Sequence, residues 1–174
     1  QYIREKGLEE QTGLTSRQLA QSLLMSTAVP QREEENDGAY YPVLRQGAGL
    51  ANVGAAIAAE SYILMGRDAT HSYADGKVKV ELGDDPEKTG SYQFSFDIHN
   101  MTDRELQYAL SADFFTQAIL EENGVGYMDT QTTGLDATVS FSTGNKVTVP
   151  AHATAHVQVT VALTDAQKAE LQRR

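Results

Sequence analysis

Between residues 91 and 100 the large apolar side chains fall on every second position: Tyr92, Phe94, Phe96 and Ile98 alternate with Gln93, Ser95, Asp97 and His99. A period of two puts one face of a strand in a core and the other in water, and a helix cannot satisfy it. The same rhythm recurs in Val78, Val80 and Leu82; in Leu106, Tyr108, Leu110 and Phe114; in Val139 and Phe141; in Val147 and Val149; and in Val157, Val159, Val161 and Leu163. Turn-forming groups separate these runs: Gly83-Asp84-Asp85-Pro86, Asn100-Met101-Thr102-Asp103, Glu122-Asn123-Gly124, Thr143-Gly144-Asn145 and Pro150-Ala151-His152.

With a weaker first strand at Tyr62 to Met65, about seven strands are expected, which makes the chain mainly β. Seven short strands with regular turns predict a seven-stranded sandwich of the fibronectin-III or immunoglobulin kind. The first part has a different rhythm. Gln1 to Lys6 reads as the last turns of a helix closed by Gly7. Thr15 and Gln18 are spaced for a capping box, and Leu19, Ala20, Leu23, Leu24 and Ala28 follow at helical spacing until Pro30. Arg32 to Gly38 reads as a charged, solvated loop, and Asn52 as the cap of a short helix through Ala55, Ala56, Ile57 and Ala58. The switch of period places a domain boundary near Glu60-Ser61. Residues 1–60 are then a helical segment and residues 61–174 the sandwich, with a short helix or a linker at 164–174.

The chain has 174 residues, a formal net charge of −10 and no cysteine. The acidity opposes binding to nucleic acid or anionic lipid, since both need clustered Lys and Arg. Absence of cysteine removes disulfides, thiolate metal sites and a thiol nucleophile together. No membrane-spanning segment is expected, because no run approaches the roughly 20 apolar residues a bilayer requires. The charged start, Gln1 to Lys6, has no apolar core of a signal peptide.

The histidines are the natural candidates for chemistry. His99 falls on the polar face of its strand, His156 is out of phase with the valines, and His152 lies in a turn. His71, with Asp68 and Ser72 close by, is the one grouping that looks like a site, but neighbours in a loop do not easily reach triad geometry. Ser26 lacks the glycines of a nucleophile elbow, and packing is its simpler role. His152 and His156 have metal-like spacing but straddle a turn and a strand start. The run Glu33 to Gly38 lacks the alternating ligands and closing Glu of a calcium loop. In Gly47 to Gly54 the glycines are misplaced for a dinucleotide loop and suit tight backbone turns. No catalytic, cofactor-binding or metal residue is therefore expected, and no cofactor.

Two stretches carry a family resemblance. Leu19-Ala20-Gln21-Ser22-Leu23-Leu24-Met25-Ser26-Thr27-Ala28 resembles the penultimate catalytic-domain helix of subtilisin-like serine proteases, which ends in an L-M-S-T-A signature. Tyr40-Tyr41-Pro42-Val43-Leu44-Arg45-Gln46-Gly47-Ala48-Gly49-Leu50-Ala51-Asn52-Val53, with Ala56-Ile57 after it, resembles the last part of that domain in the large cell-envelope enzymes. The strand-rich half is similar to the fibronectin-III-like domain that follows it in lactocepin and C5a-peptidase-like enzymes. The matching features are Lys77 to Gly83, Phe94 to Thr102, Val147 to Ala151 and Ala155 to Val161.

The resemblance implies a parent endopeptidase that hydrolyses polypeptides, extracellular or envelope-associated, of the Gram-positive bacterial type. It implies two partners: the remainder of the catalytic domain, and the parent's polypeptide substrate. The family nucleophile lies in a Gly-Thr-Ser-Met-Ala motif on a helix whose end would be Gln1 to Lys6. Neither it nor the catalytic Asp and His is among these residues, so no catalytic role transfers and the chain by itself is expected to be inert. The sandwich would brace the catalytic domain, shape substrate access or act as a spacer, and Asp84, Asp85, Glu87, Glu121 and Glu122 would bias the charge near substrate or simply be solvated. Two alternatives stay open: an independent module binding a protein or glycan, with Tyr73 and Tyr127 as platform aromatics, and an enzyme built on the His71 loop.

Overall fold

The computed structural model describes residues 1–34, 38–66 and 76–172. The strand-rich half is mainly β and sandwich-like. One sheet holds four antiparallel strands in the order β1 (Ser61–Met65), β2 (Ser91–Asn100), β8 (Thr154–Leu163) and β6 (Ala137–Phe141). Against it lies the pair β3 (Leu106–Ala109) and β7 (Lys146–Val149), and a separate hairpin is formed by β4 (Phe115–Glu122) and β5 (Val125–Gly134).

Register places Phe94 opposite Val159, Phe96 opposite Val157 and Ile98 opposite Ala155. The period-two side chains of β2 and β8 thus share one face. They bury there with Val147 and Val149 of β7, and Tyr108, Leu110, Phe114, Val139 and Phe141 pack around them. Asn100 pins the two layers at one end. Its Nδ2 donates to the carbonyls of Arg104, Val149 and Pro150 at 2.7, 3.0 and 3.0 Å, and its Oδ1 accepts from the Thr102 amide and hydroxyl, both at 2.8 Å.

Five short helices precede the sheet: α1 (Tyr2–Glu5), α2 (Leu8–Thr12), α3 (Ser16–Ser26), α4 (Val43–Gln46) and α5 (Val53–Ala58). The Thr15–Gln18 capping box is present, and Asn52 caps α5 through the Ala55 amide. Leu19, Leu23, Ala56 and Tyr62 form a second core. Tyr62 and Leu64 lie on the face of the sheet opposite the sandwich core, where α3 covers them, and Ser22 Oγ donates to the Ile63 carbonyl at 2.6 Å. Along β1, Tyr62 is buried and Ile63, Leu64 and Met65 are half-buried. That is why its residues read as a continuous apolar run instead of an alternation.

Several expectations need correction. Eight strands, not seven, stand among the described residues. Lys77 to Leu82 carries an alternation, with Val78 and Val80 half-buried and Lys77 and Lys79 exposed, but it forms no ladder. Both edges of β2 are already taken by β1 and β8. The hairpin β4–β5 was not expected beyond its turn, where Asn123 and Gly124 both have positive φ, 53° and 75°.

Helix α3 stops at Ser26, four residues before Pro30: Thr27 leaves the helical region at φ −110° and ψ 4°, and Val29 bridges to Leu50. Of the Arg32–Gly38 run, Glu35, Asn36 and Asp37 lie outside the described residues, and Arg32 and Glu33 are bonded to the strand-like stretch at 39–40. Arg32 bridges Tyr40, its guanidinium lies 3.9 Å from that ring's centre, and Glu33 N bonds the Ala39 carbonyl at 2.8 Å. Helix α4 follows Pro42 unannounced. Of the two expectations for 164–174, the short helix is the one present: Thr164 caps α6 (Asp165–Leu171).

Candidate functional site

His71, Asp68, Ser72 and Tyr73 lie outside the described residues, as do Glu35, Asn36 and Asp37 of the acidic run. The other histidines are placed by the sheet. Register sets Asp97 against His156 and His99 against Thr154 on the outer face of β2 and β8. His156 Nδ1 lies 2.7 Å from Asp97 Oδ1, and Thr154 Oγ1 lies 2.9 Å from His99 Nδ1. His152, at φ 53°, bonds a different carboxylate, Asp103 Oδ1, at 2.6 Å, so it does not converge with His156 on a metal. No group of three or more metal-ligating side chains occurs among the described residues.

His99 differs from its expected setting. Its ring stacks on Tyr62 with centroids 4.6 Å apart and planes 3° from parallel. Alternation assigns a side chain to a face, and here a neighbouring strand covered by α3 shields that face. Burial therefore holds the imidazole below its ordinary 6.5, with the Asp97 carboxylate partly opposing. Protonation then favours the unfolded chain, so stability is complete above pH 6.5 and falls as pH drops through 6.5 toward the lowered folded value. His99→Phe keeps the stack and removes the charge. The thermal midpoint of the natural chain is expected to fall between about pH 6.5 and 5 more steeply than that of His99→Phe. Identical slopes would rule this origin out.

The remaining candidates are accounted for by packing. Ser26 Oγ is buried at the end of α3 with no hydrogen-bond partner among the described residues. Gly49, at φ 117°, lets the backbone approach so closely that a Cβ would sit 2.4 Å from the Val29 carbonyl oxygen. Asp85 closes its own turn by accepting from the Thr89 and Gly90 amides at 3.0 and 2.7 Å, and those donors hold its carboxyl below the usual range. A cleft between Arg32, Ala39 and Tyr40 on one side and the hairpin base on the other has its side-chain donors engaged, with Arg32 on the Gly38 carbonyl and the Tyr40 hydroxyl and Thr132 Oγ1 on the Tyr40 carbonyl.

What stands out instead is exposed apolar surface in two groups. The first is a group in sequence, Val29, Val43, Leu44, Leu50, Val53 and Ile57, with Leu44 87% exposed and Val29 bridged to Leu50. Leu120, Val125 and Tyr127 form the second, all more than half exposed on one face of the hairpin tip. Single exposed apolar residues are ordinary; groups of this kind mark contact surfaces. The period-two pattern gave no sign of them, because it reports a strand's faces and not what covers them.

Antiparallel sheets packed face to face on a shared apolar core define a β-sandwich of the fibronectin-III class. The chain belongs to the Fn3-like domain family, whose model matches residues 80–173, from the extended segment ahead of β2 through α6. Comparison with curated proteins finds no match. No helix among the described residues is long and apolar enough to cross a membrane.

Proposed function

We propose that this chain is a non-catalytic accessory region of a secreted or envelope-associated subtilisin-like endopeptidase of the Gram-positive type. Residues 1–60 are the closing part of its catalytic domain. Residues 61–174 are an Fn3-like sandwich that braces that domain or shapes the approach of a polypeptide substrate. The observation that carries this reading is where the apolar surface falls. Five of the exposed large apolar residues, Val43, Leu44, Leu50, Val53 and Ile57, lie within the stretch that resembles the end of a subtilase domain. A free-standing segment gains nothing from showing them to water; a segment seated on a protease body buries them. The parent would cleave peptides by acyl transfer through a triad supplied elsewhere.

The test compares the full reading frame with residues 1–174. The frame upstream of Gln1 is expected to encode a serine-bearing helix with the Gly-Thr-Ser-Met-Ala motif. Leu44→Gln with Leu50→Gln is expected to cost the full protein roughly 2–4 kcal/mol in urea melts and the isolated chain almost nothing. A frame without such a helix, or equal costs in both proteins, would sink the reading.

A further inference from the structure

Between Arg104 and Lys146 the chain carries no basic residue, while Glu105, Asp113, Glu121, Glu122, Asp129 and Asp136 fall in that interval. The hairpin lies wholly within it. Neither Glu121 nor Glu122 has an ion-pair partner among the described residues. The hairpin base is fixed: Phe115 stacks on Tyr40 at 5.6 Å, and Thr132 Oγ1 donates to the Tyr40 carbonyl at 2.6 Å. The tip is not covered. No third strand runs beside β4 or β5 among the described residues. Register pairs Leu120 with Tyr127 and Glu122 with Val125 on one face, and Ile119 and Glu121 project on the other.

We propose that the outer edge of β4 docks an extended polypeptide that has two adjacent apolar residues next to two adjacent basic ones, by adding it as a further strand. An open strand edge presents unpaired backbone donors and acceptors, which is the template for strand addition. The order Ile119-Leu120-Glu121-Glu122 sets the partner's pattern. Its apolar pair lies beside Ile119 and Leu120, one on each face, and its basic pair beside the two carboxylates. A second copy of this chain is a poor occupant, because each copy carries a net charge of −10. This inference rests on the hairpin's own geometry and charge and holds whether or not the parent is a peptidase.

The test is fluorescence anisotropy of a labelled ten-residue peptide centred on Lys-Lys-Val-Val, the order for antiparallel addition, titrated with the whole chain at low salt. Its reversed version probes parallel addition. Glu121→Gln with Glu122→Gln is expected to weaken binding about fivefold and flatten its salt dependence. Leu120→Thr with Tyr127→Thr is expected to weaken it about tenfold. A peptide of equal charge, N-methylated at alternate residues, is expected to lose at least about tenfold, since it cannot complete the ladder. Amide exchange in residues 116–121 of the natural chain is expected to slow when peptide binds, a readout that needs no variant. Failure of both peptides to bind, equal binding by the N-methylated peptide, or full binding by either hairpin variant would overturn the proposal.

Discussion

Asn100→Asp is expected to destabilise the fold by roughly 3–5 kcal/mol at neutral pH, one of the two largest effects anticipated for a single substitution. The two side chains are nearly isosteric, so packing is not the cause. Asn100 is 5% exposed and directs its amide group at three carbonyl oxygens. A carboxylate in that position faces three acceptors with no proton to offer, while its own charge is removed from water. Asn100→Ala leaves the same carbonyls without a donor but adds no charge, and about 2–3 kcal/mol is expected. The sign with pH is opposite to that at His99. An aspartate there has its pKa raised by burial and by the carbonyls, so the folded protein binds the extra proton, and stability recovers as pH falls. Urea melts of the three proteins at pH 7 and pH 5 measure this. A cost below about 1 kcal/mol for the aspartate at pH 7 would show that the pin does not join the layers.

Leu19→Ala is expected to cost about 2.5–4 kcal/mol. Leu19 is fully buried, and its partners Leu23, Ala56 and Tyr62 come from α3, α5 and β1. Rigid neighbours on three elements leave little scope for the cavity to collapse, which favours the upper half of that range. The form of the melt is as informative as the midpoint. Tyr62 belongs to the helical core and its strand belongs to the sandwich sheet, so both halves are expected to unfold in one transition, shifted as a whole by the substitution. Two transitions, with only the lower one moved, would show that the helical segment and the sandwich are independent units.

The inner face of the sandwich was readable because its chemistry is local. Tyr92, Phe94, Phe96 and Ile98 must share a side if they are on a strand at all, and the valines of β8 must do the same. The caps at Thr15, Asn52 and Thr164 were readable for the same reason, since each joins a side chain to the amide three residues ahead. The candidate surfaces were not. Leu44 and Leu120 look like any other leucine in a linear chain, and only the packed structure shows that nothing covers them. The β4–β5 hairpin hid behind mixed side chains and a shift of register between Gln117 and Ile119, which breaks the alternation a reader would follow.

The linear order of residues by itself determined which segments alternate, where they turn, where helices start, and that two apolar faces must be buried. Local sterics and the preference of apolar groups to leave water act over a few residues, so they are written in short stretches. Tertiary structure alone decided that Lys77 to Leu82 finds no sheet edge among the described residues, that His99 lies under Tyr62, that Asn100 reaches across to β7, and that no described strand lies beside the hairpin. Each of these depends on which distant segment arrives alongside, and the free energy of that meeting is held by both partners and by neither sequence alone.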